Sequence, residues 1–429
     1  MQRELQPEDR WYAGITGYQW LVLIIACLGW IFDVFEGQLF AIFKTPALAD
    51  VLRVAENAAI VDRYGNYGFA SFLVGGAVGG LFFGMLADRI GRRQTMVWSI
   101  LTYSIFSGMH FFATTWWHIV ALRFLVAMGV AGEWAIAASL VSEVFPKKAR
   151  AMAGGIFHAS SVIGAVLGSA VGMVFTAQTD WRWAFLLGVL PALLVVWVLV
   201  SIRESEKWEA ATAKAEQEKQ TGGNLAELLG AGPWRSRALL GLGLAAVGLG
   251  TYWGIYAWGP ELVREVLDKV VPAEEARSKA SFAYMLMNFT GGLAGLLLFA
   301  PISMWTSRRM AFVLYHVGAI IVVPITFLGA STYLQALVLL PITAFFVVGM
   351  HAGYAIYFPE LFPTRLRATG ASFCFNVGRL VSAVMLMLRG ELRDWLGLRY
   401  AVTAMASLFF VGLILLYFAP ETKDQELPE

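Results

Sequence analysis

Long apolar runs recur along the whole chain, and this pattern restricts the fold more than any other feature. A run of about twenty apolar residues can cross the hydrocarbon core of a bilayer as an α-helix. The sequence predicts twelve such helices, near residues 18–43, 66–87, 94–113, 117–141, 152–176, 183–202, 237–259, 280–301, 310–329, 334–357, 368–388 and 398–418. The expected fold is therefore all-α and embedded in a lipid bilayer.

The composition also indicates an integral membrane protein. Of the 429 residues, 58% are hydrophobic and 14% are charged, whereas soluble proteins contain about 25% charged residues. The net charge of +2 gives no indication of a nucleic-acid partner. Cys27 and Cys374 both lie in apolar runs, so we expect no disulfide framework and no metal site. The first residues do not resemble a cleavable signal peptide.

A single long charged segment separates the sixth predicted helix from the seventh. It covers residues 203–234 and is typical of a linker that is partly helical and lies along the membrane surface. Its position divides the helices into two groups of six. We therefore predict an N-terminal half at residues 1–202, a cytoplasmic linker at 203–236 and a C-terminal half at 237–429.

Two loops share a sequence frame, which indicates that the two halves are related. Residues 142–151 follow the fourth predicted helix and residues 359–368 follow the tenth, and both contain Glu-x-Phe-Pro-x-x-x-Arg-Ala. A frame that recurs at equivalent positions is typical of an internal repeat. Lys and Arg are concentrated in four short loops between predicted helices, at about residues 88–94, 142–151, 302–310 and 359–368. We therefore predict that both termini are cytoplasmic. We separately expect the membrane to be the inner membrane of a bacterium.

The loop after the second predicted helix combines charges and glycines. Residues 84–93 read Gly-Met-Leu-Ala-Asp-Arg-Ile-Gly-Arg-Arg. The glycines permit a sharp turn and a close approach of helices. Asp88 is placed either to pair with an arginine or to face the positive end of a neighbouring helix. An ordinary basic loop would explain the arginines alone, but not the glycines and the aspartate together.

This loop resembles the signature between helices 2 and 3 of the major facilitator superfamily. Residues 123–134 resemble the family's fourth-helix signature, with Ala127 in place of its first glycine. The likeness is greatest to metabolite/proton symporters, which include sialate, aromatic-acid and organic-anion transporters. Residues 203–208 and 420–422 look like the tails of sugar porters. The resemblance implies twelve transmembrane helices in two pseudosymmetric six-helix bundles, and a secondary transporter that usually works as a monomer.

Ionisable residues inside a predicted span are costly to bury, so each is a functional candidate. Asp33 and Glu36 lie near the middle of the first span and share a helix face. Two carboxylates in a low dielectric cannot easily both ionise, so this pair can carry a proton. The alternative is a structural pair held by arginines elsewhere. The resemblance associates Arg123 with proton coupling, as a partner of Asp33 or Glu36.

Arg379 lies about 16 Å deep in the eleventh predicted span, at roughly 1.5 Å per residue. Its guanidinium needs an anion, and its geometry suits a carboxylate. Organic ion transporters carry an arginine in this helix that favours anionic substrates, so the resemblance implies a substrate role; the alternative is a permanent salt bridge to an acid of the opposite half. Asn376 is a candidate hydrogen-bonding helper, and Trp30, Tyr256 and Tyr354 are candidate walls of the site.

Other charged residues are predicted to form a gate that closes the cytoplasmic side during alternating access. Glu133, in the fourth span, is assigned to this network together with Glu143 and the Asp88 loop. The predicted gating residues are Asp88, Arg89, Arg92, Arg93, Glu133, Glu143, Arg150, Glu360 and Arg367.

These features predict a transporter that moves a small organic anion, a monocarboxylate or an acidic sugar, together with protons. One alternative is a proton-coupled porter of a neutral sugar or polyol, in which Arg379 pairs only with protein acids. A second is a non-transporting sensor with a transporter fold, although the complete Asp88 loop argues against it. The sequence contains no phosphate-binding loop, hydrolase motif or metal-spaced cluster. We therefore expect no enzymatic activity, no catalytic residues, no cofactor and no metal.

Overall fold

The computed structural model describes residues 10–175, 181–218, 220–268 and 270–429. Within these ranges the chain forms helices and turns, and no β-strand is present. The first nine residues, to which part of the signal-peptide expectation applies, lie outside the described residues. So does residue 176, at the end of the fifth predicted helix.

Twelve long helices are found in the described residues, as the apolar runs predict. We count a helix that contains a short 3-10 or π turn as one. They are α1 Gly17–Leu52, α2 Ala59–Ile90, α3 Arg92–Met109, α4 Trp116–Val144, α5 Lys147–Val174, α6 Trp181–Ser201, α7 Pro233–Leu267, α8 Glu274–Trp305, α9 Arg308–Gly329, α10 Tyr333–Leu361, α11 at residues 367–396 and α12 Leu398–Phe418. Two short helices, Glu206–Gln217 and Leu225–Leu229, lie between α6 and α7.

Ten of the twelve are long and apolar enough to cross a membrane, within the described residues. The two exceptions are α3, which begins with two arginines, and α11, which contains Arg379 and further charges. Several helices also extend beyond their apolar runs, because caps rather than hydropathy set their ends. For example, a capping box between Thr16 and Gln19 begins α1, and the C-cap residue Arg53, in the left-handed conformation, follows its last residue.

The same glycine contact packs the helices of each half. Gly75 and Gly79 on α2 face α4, and Gly291 and Gly295 on α8 face α10. A Cβ atom at any of these four positions would overlap the backbone of the facing helix. Small residues at such crossings are typical of helix packing in membranes. The repeated contact agrees with two pseudosymmetric bundles.

The halves meet mainly at one end of the molecule. This end, which we call the basic end, carries the turns between α2 and α3, α4 and α5, α8 and α9, and α10 and α11. Here the start of α11 packs against α2 and α4, and the first part of α5 packs against α8 and α10. Towards the opposite end, residues 161–174 of α5 pack mainly on α1, within the first half.

Candidate functional site

Asp88 connects the two halves at the basic end. Its carboxylate accepts hydrogen bonds from Arg92 Nη1 at 2.8 Å and from the backbone N–H groups of Ala368 at 3.2 Å and Thr369 at 2.8 Å. The Thr369 hydroxyl donates a further bond of 2.6 Å. Because Ala368 and Thr369 lie in the first turn of α11, Asp88 faces the positive end of that helix. Both partners that the sequence suggested for Asp88 are therefore present.

Glu143 binds an arginine from each half. Arg92 Nη2 and Arg367 Nη1 both donate to Glu143 Oε1 at 2.8 Å. All three side chains are buried. Removing one partner from such a group leaves an uncompensated buried charge, which costs several kcal/mol. The interaction therefore holds α3 and α4 firmly against α11.

The second half contains a related but looser cluster. Glu360, the repeat equivalent of Glu143, accepts bonds of 3.2 Å from Arg308 and one of 2.6 Å from the Thr422 hydroxyl. Arg150 of the first half approaches Glu360 only to 4.0 Å, whereas the equivalent contact between Arg367 and Glu143 is 2.8 Å. The network across the halves is thus asymmetric.

Two further glutamates cap helices at the basic end. Neither was among the predicted gating residues. Glu204 accepts from the backbone N–H groups of Arg92 and Arg93, and Glu421 accepts from those of Arg308 and Arg309. Partial burial of Glu421 opposes its ionisation. The hydrogen bonds that its carboxylate accepts nevertheless hold the pKa of that carboxyl below the usual range. The tails at residues 203–208 and 420–422 were the signal that could have identified both caps.

Arg89 and Arg93 do not cross to the second half. Arg89 is exposed and donates to the carbonyl of Gly222 in the linker, and Arg93 donates to the carbonyl of Leu199 at the end of α6. Gly91 between them adopts φ of 104°, as the predicted sharp turn requires. A side chain at Gly91 would also overlap the Glu204 carboxylate.

The linker contacts both halves at the basic end. Trp208 Nε1 donates to the Asp88 carbonyl at 3.1 Å, and the Gly223 N–H donates to the Arg365 carbonyl at 2.8 Å. Burial, followed by the nearby guanidinium groups of Arg150 and Arg367, lowers the pKa of the Lys207 amine. The linker therefore covers the closed network.

Glu36 and Arg123 form a buried ion pair in the first half. Arg123 Nη1 donates to both carboxylate oxygens of Glu36, at 2.7 and 2.8 Å. The guanidinium also lies over the rings of Phe40 and Phe72, at 4.4 and 4.6 Å from their centroids. Ser107 donates to Glu36 at 3.1 Å. Of the two partners suggested for Arg123, the structure has Glu36.

Asp33 faces a different acid, Glu133 on α4. The two carboxyl groups are near enough to interact electrostatically, and all four of their oxygens are buried without a hydrogen-bond partner among the described residues. Gly29 provides the space, because a Cβ atom there would overlap the Glu133 carboxylate. Both side chains are buried. Two buried carboxyls this close are stable together when they share a proton.

This arrangement corrects two expectations from the sequence. Asp33 and Glu36 are about 60° apart around α1, so they have different partners and do not pair with each other. Glu133 lies about 15 Å along α4 from Glu143, so it sits beside Asp33 and outside the network at the basic end. The helix register alone could not indicate which side of α4 faces α1.

Arg379 lies at the boundary between the halves. Its guanidinium points towards α2, where a Cβ atom at Gly76 would come within 3.3 Å of Nη1, and it lies 5.1 Å from the centroid of the Phe375 ring. The side chain is half-buried and makes no hydrogen bond or ion pair with another described residue. Asp33 is the acid that most influences it electrostatically.

The other predicted substrate residues are mostly engaged with protein groups. Asn376 donates to the Ala131 carbonyl and to the Ser372 hydroxyl, which leaves its buried Oδ1 without a partner among the described residues. Trp30 Nε1 donates to the His158 carbonyl at 3.1 Å, Tyr256 bonds to the side chain of Asn288, and Tyr354 donates to the Leu244 carbonyl.

Four further side chains meet between the halves and were not selected from the sequence. Trp134 stacks on Phe375 of the opposite half with ring centroids 4.1 Å apart, and its Nε1 donates to His158 Nδ1 at 3.2 Å. His351 packs at 5.4 Å from both Tyr252 and Tyr354. Trp134 and His351 are repeat equivalents, as are His158 and Phe375, with the same separation in sequence as Glu143 and Glu360. The repeat is the signal that could have found them.

No group of His, Cys, Asp or Glu residues in the described ranges could hold a metal ion. The two cysteines are free.

Comparisons with known proteins agree with this architecture. A family model described as Major Facilitator Superfamily matches residues 20–386. The "Probable 4-methylmuconolactone transporter" of Cupriavidus pinatubonensis is 28% identical over 96% of this chain and 93% of its own. The niacin transporter NiaP of Acinetobacter baylyi is 28% identical over 85% of each chain. The solved structure of the proton:xylose symporter XylE has a TM-score of 0.75 at 17% identity, covering 96% of this chain and 98% of that chain, and so shows the fold alone.

Proposed function

Because the chain belongs to the Major Facilitator Superfamily, we propose that it is a secondary transporter that carries a small organic anion together with protons. The observation that supports this most is Arg379, a half-buried cation between the halves without an anionic partner among the described residues. A cation at this depth is costly unless it is paired. A substrate carboxylate would supply the missing charge and a bidentate geometry. The relatives named as transporters of 4-methylmuconolactone and niacin support an organic acid as cargo.

We assign proton coupling to Asp33 and Glu133, with Arg379 as the link to the substrate. When the acid pair is deprotonated, its negative charge attracts the Arg379 guanidinium. When it is protonated, the guanidinium is free for a substrate anion. A proton and the substrate then favour each other's binding, and this coupling is reciprocal. The charges of Glu36 and Arg123 cancel within their ion pair. This pair serves as the fixed frame beside the site.

We take the basic end as the cytoplasmic side. Because the halves meet at that end, the structure would then correspond to an outward-facing state. The excess of Lys and Arg in its loops supports this orientation, and the buried ion pairs of Glu143 would hold that side shut. Both termini would then be cytoplasmic. A bacterial inner membrane would fit the bacterial origin of both named relatives.

The test is uptake into proteoliposomes under an imposed pH gradient, with a panel of carboxylates and neutral sugars. We expect gradient-dependent uptake of an acid by the wild type and none by Arg379→Ala. Arg63→Ala is the matched control, because Arg63 is exposed and donates only to Tyr67 among the described residues. Glu133→Gln should still exchange labelled substrate across the membrane but lose its response to the pH gradient.

Three outcomes would contradict the proposal. Sugar uptake that survives Arg379→Ala would favour a neutral-sugar porter, in which Arg379 pairs with Asp33. Acid uptake that follows a sodium gradient at constant pH would assign the acid pair to sodium. The absence of uptake for every compound, with a correctly folded protein, would favour the sensor.

A further inference from the structure

The tautomer of His158 follows from its partner. An indole Nε1 can only donate a hydrogen bond, so His158 Nδ1, 3.2 Å from Trp134 Nε1, must accept. The imidazole proton therefore lies on Nε2, and the ring is neutral. This Nε2–H group donates to no described residue. The partner of His158, Trp134, stacks on Phe375, and Arg379 lies 5.1 Å from the centroid of that same Phe375 ring.

His351 has the opposite arrangement. Its Nδ1 lies 3.0 Å from the Val348 carbonyl oxygen, which can only accept. The proton is therefore on Nδ1, and Nε2 is a hydrogen-bond acceptor. This Nε2 atom is buried and has no partner among the described residues, and the whole side chain is 7% exposed. Buried acceptors are rarely left unpaired.

An unpaired imidazole nitrogen is not sufficient by itself to indicate a site. His110 and His316 also have an Nε2 atom without a partner in the described ranges. However, His110 stacks on Phe185 inside the first half, and His316 packs against Phe409 inside the second. What distinguishes His351 is its connection to the boundary between the halves. Its neighbour Tyr354 lies 6.2 Å from Phe375, the ring on which Trp134 stacks and which Arg379 approaches to 5.1 Å.

Flat aromatic rings surround this group. The Trp30 ring lies 5.4 Å from the His158 ring, and Trp134 stacks on Phe375. Tyr252 and Tyr354 each pack 5.4 Å from the His351 ring. Such walls favour a planar ring, because aromatic groups gain most from stacked or edge-on contacts.

We propose that the two histidines select a ring-containing carboxylate that also carries a hydroxyl or amino group. Arg379 and the His158 Nε2–H hold the carboxylate, and His351 Nε2 accepts the hydrogen of the hydroxyl or amino group. This inference rests on the proposed function and narrows its substrate class. A site that is built to accept a hydrogen bond rejects an analogue that lacks the donor.

Binding to the purified protein, measured by quenching of tryptophan fluorescence, tests the selection without requiring transport. The probes are 4-hydroxybenzoate and 3-hydroxybenzoate, which donate, and benzoate and 4-methoxybenzoate, which do not. We expect the wild type to bind one hydroxybenzoate about five- to tenfold more tightly than the non-donors, the value of one net hydrogen bond. His351→Phe keeps the ring and should reduce this ratio to about 1, with benzoate affinity unchanged.

His158 has a different signature. His158→Phe should weaken all four probes alike, by about fivefold for one lost hydrogen bond. His158→Gln retains an N–H donor and should recover part of the loss. His316→Phe is the matched control for His351→Phe, because His316 has the same tautomer as His351 but lies away from the boundary between the halves.

The outcomes separate this inference from the proposed function. If carboxylates bind and Arg379→Ala abolishes binding, but His351→Phe leaves the ratio unchanged, the selection proposal is wrong and the anion proposal stands. If no carboxylate binds and a sugar does, both are wrong. An equal loss of ratio in His316→Phe would also overturn the assignment to His351.

Discussion

Asp88→Ala should open the basic end by an amount that the structure allows us to calculate. The substitution removes three hydrogen bonds that cross between the halves, two from backbone N–H groups and one from the Thr369 hydroxyl. Arg92 keeps its contacts with Glu143 and with the carbonyls of Ala87 and Thr364. At about 1 kcal/mol net for each lost bond, the closed arrangement is destabilised by about 3 kcal/mol.

Hydrogen exchange of the Ala368 and Thr369 amides reports this opening directly. Because every 1.4 kcal/mol is a factor of ten, a peptide that contains both residues should exchange about 100-fold faster in Asp88→Ala than in the wild type. Thr369→Val removes only the hydroxyl bond, and about fivefold is expected. Asp62→Ala is the control, since Asp62 is exposed near the opposite end of α2.

One result would refute this reasoning. If the exchange of these amides in Asp88→Ala stays within twofold of the wild type, the carboxylate does not hold the start of α11. The amides of α9 distinguish local opening from global destabilisation. Glu421 caps α9 independently of Asp88, so these amides should stay protected from exchange if only the basic end opens.

Two further predictions concern the same end of the molecule. Glu421→Gln should lower the thermal stability by about 1 kcal/mol at neutral pH, the usual value of a helix cap. The pKa of Glu421 is lower in the folded protein than in the unfolded chain. The contribution of Glu421 to stability is therefore present above the ordinary glutamate pKa and is lost as the pH falls through the lower folded value. Unfolding curves of the wild type and of Glu421→Gln, measured at several pH values, should converge in acid. Met304 is the repeat equivalent of Asp88. Met304→Asp should therefore cap α5 from the second half, protect the amides of Ala151 and Met152 from hydrogen exchange, and slow uptake. Met310→Asp, at an exposed position, should change neither the exchange nor the uptake.

The sequence was sufficient for features that depend on one helix or on one loop. The apolar runs predicted all twelve helices. The loop around Asp88 predicted the kind of partner that Asp88 has, an arginine and the positive end of a helix, but not that this helix is α11 of the other half. The pairing of Arg123 with an acid on α1 was also foreseen, but from the family resemblance, which suggested Asp33 or Glu36 without choosing between them.

Features that depend on how two helices face each other were not predictable. Glu133 was assigned to the wrong neighbours because its true partner, Asp33, is reached only where Gly29 opens a gap on α1. The protonated nitrogen of His158 is set by Trp134, which belongs to another helix. Neither relation leaves a mark in the periodicity of a single segment.

The internal repeat shows which structural contacts are present in both bundles. The glycine contacts, the caps at Glu204 and Glu421, and the pairs of Glu143 and Glu360 with arginine all occur twice. By contrast, Val162 occupies the repeat equivalent of Arg379, and Met350 occupies that of Glu133. Asp88 is also unmatched, yet it holds the basic end shut, so the absence of a counterpart alone does not indicate transport chemistry. A binding site shared by both bundles needs each charge only once, and Arg379 and Glu133 occur once and lie away from the basic end. We therefore assign these two to substrate and proton.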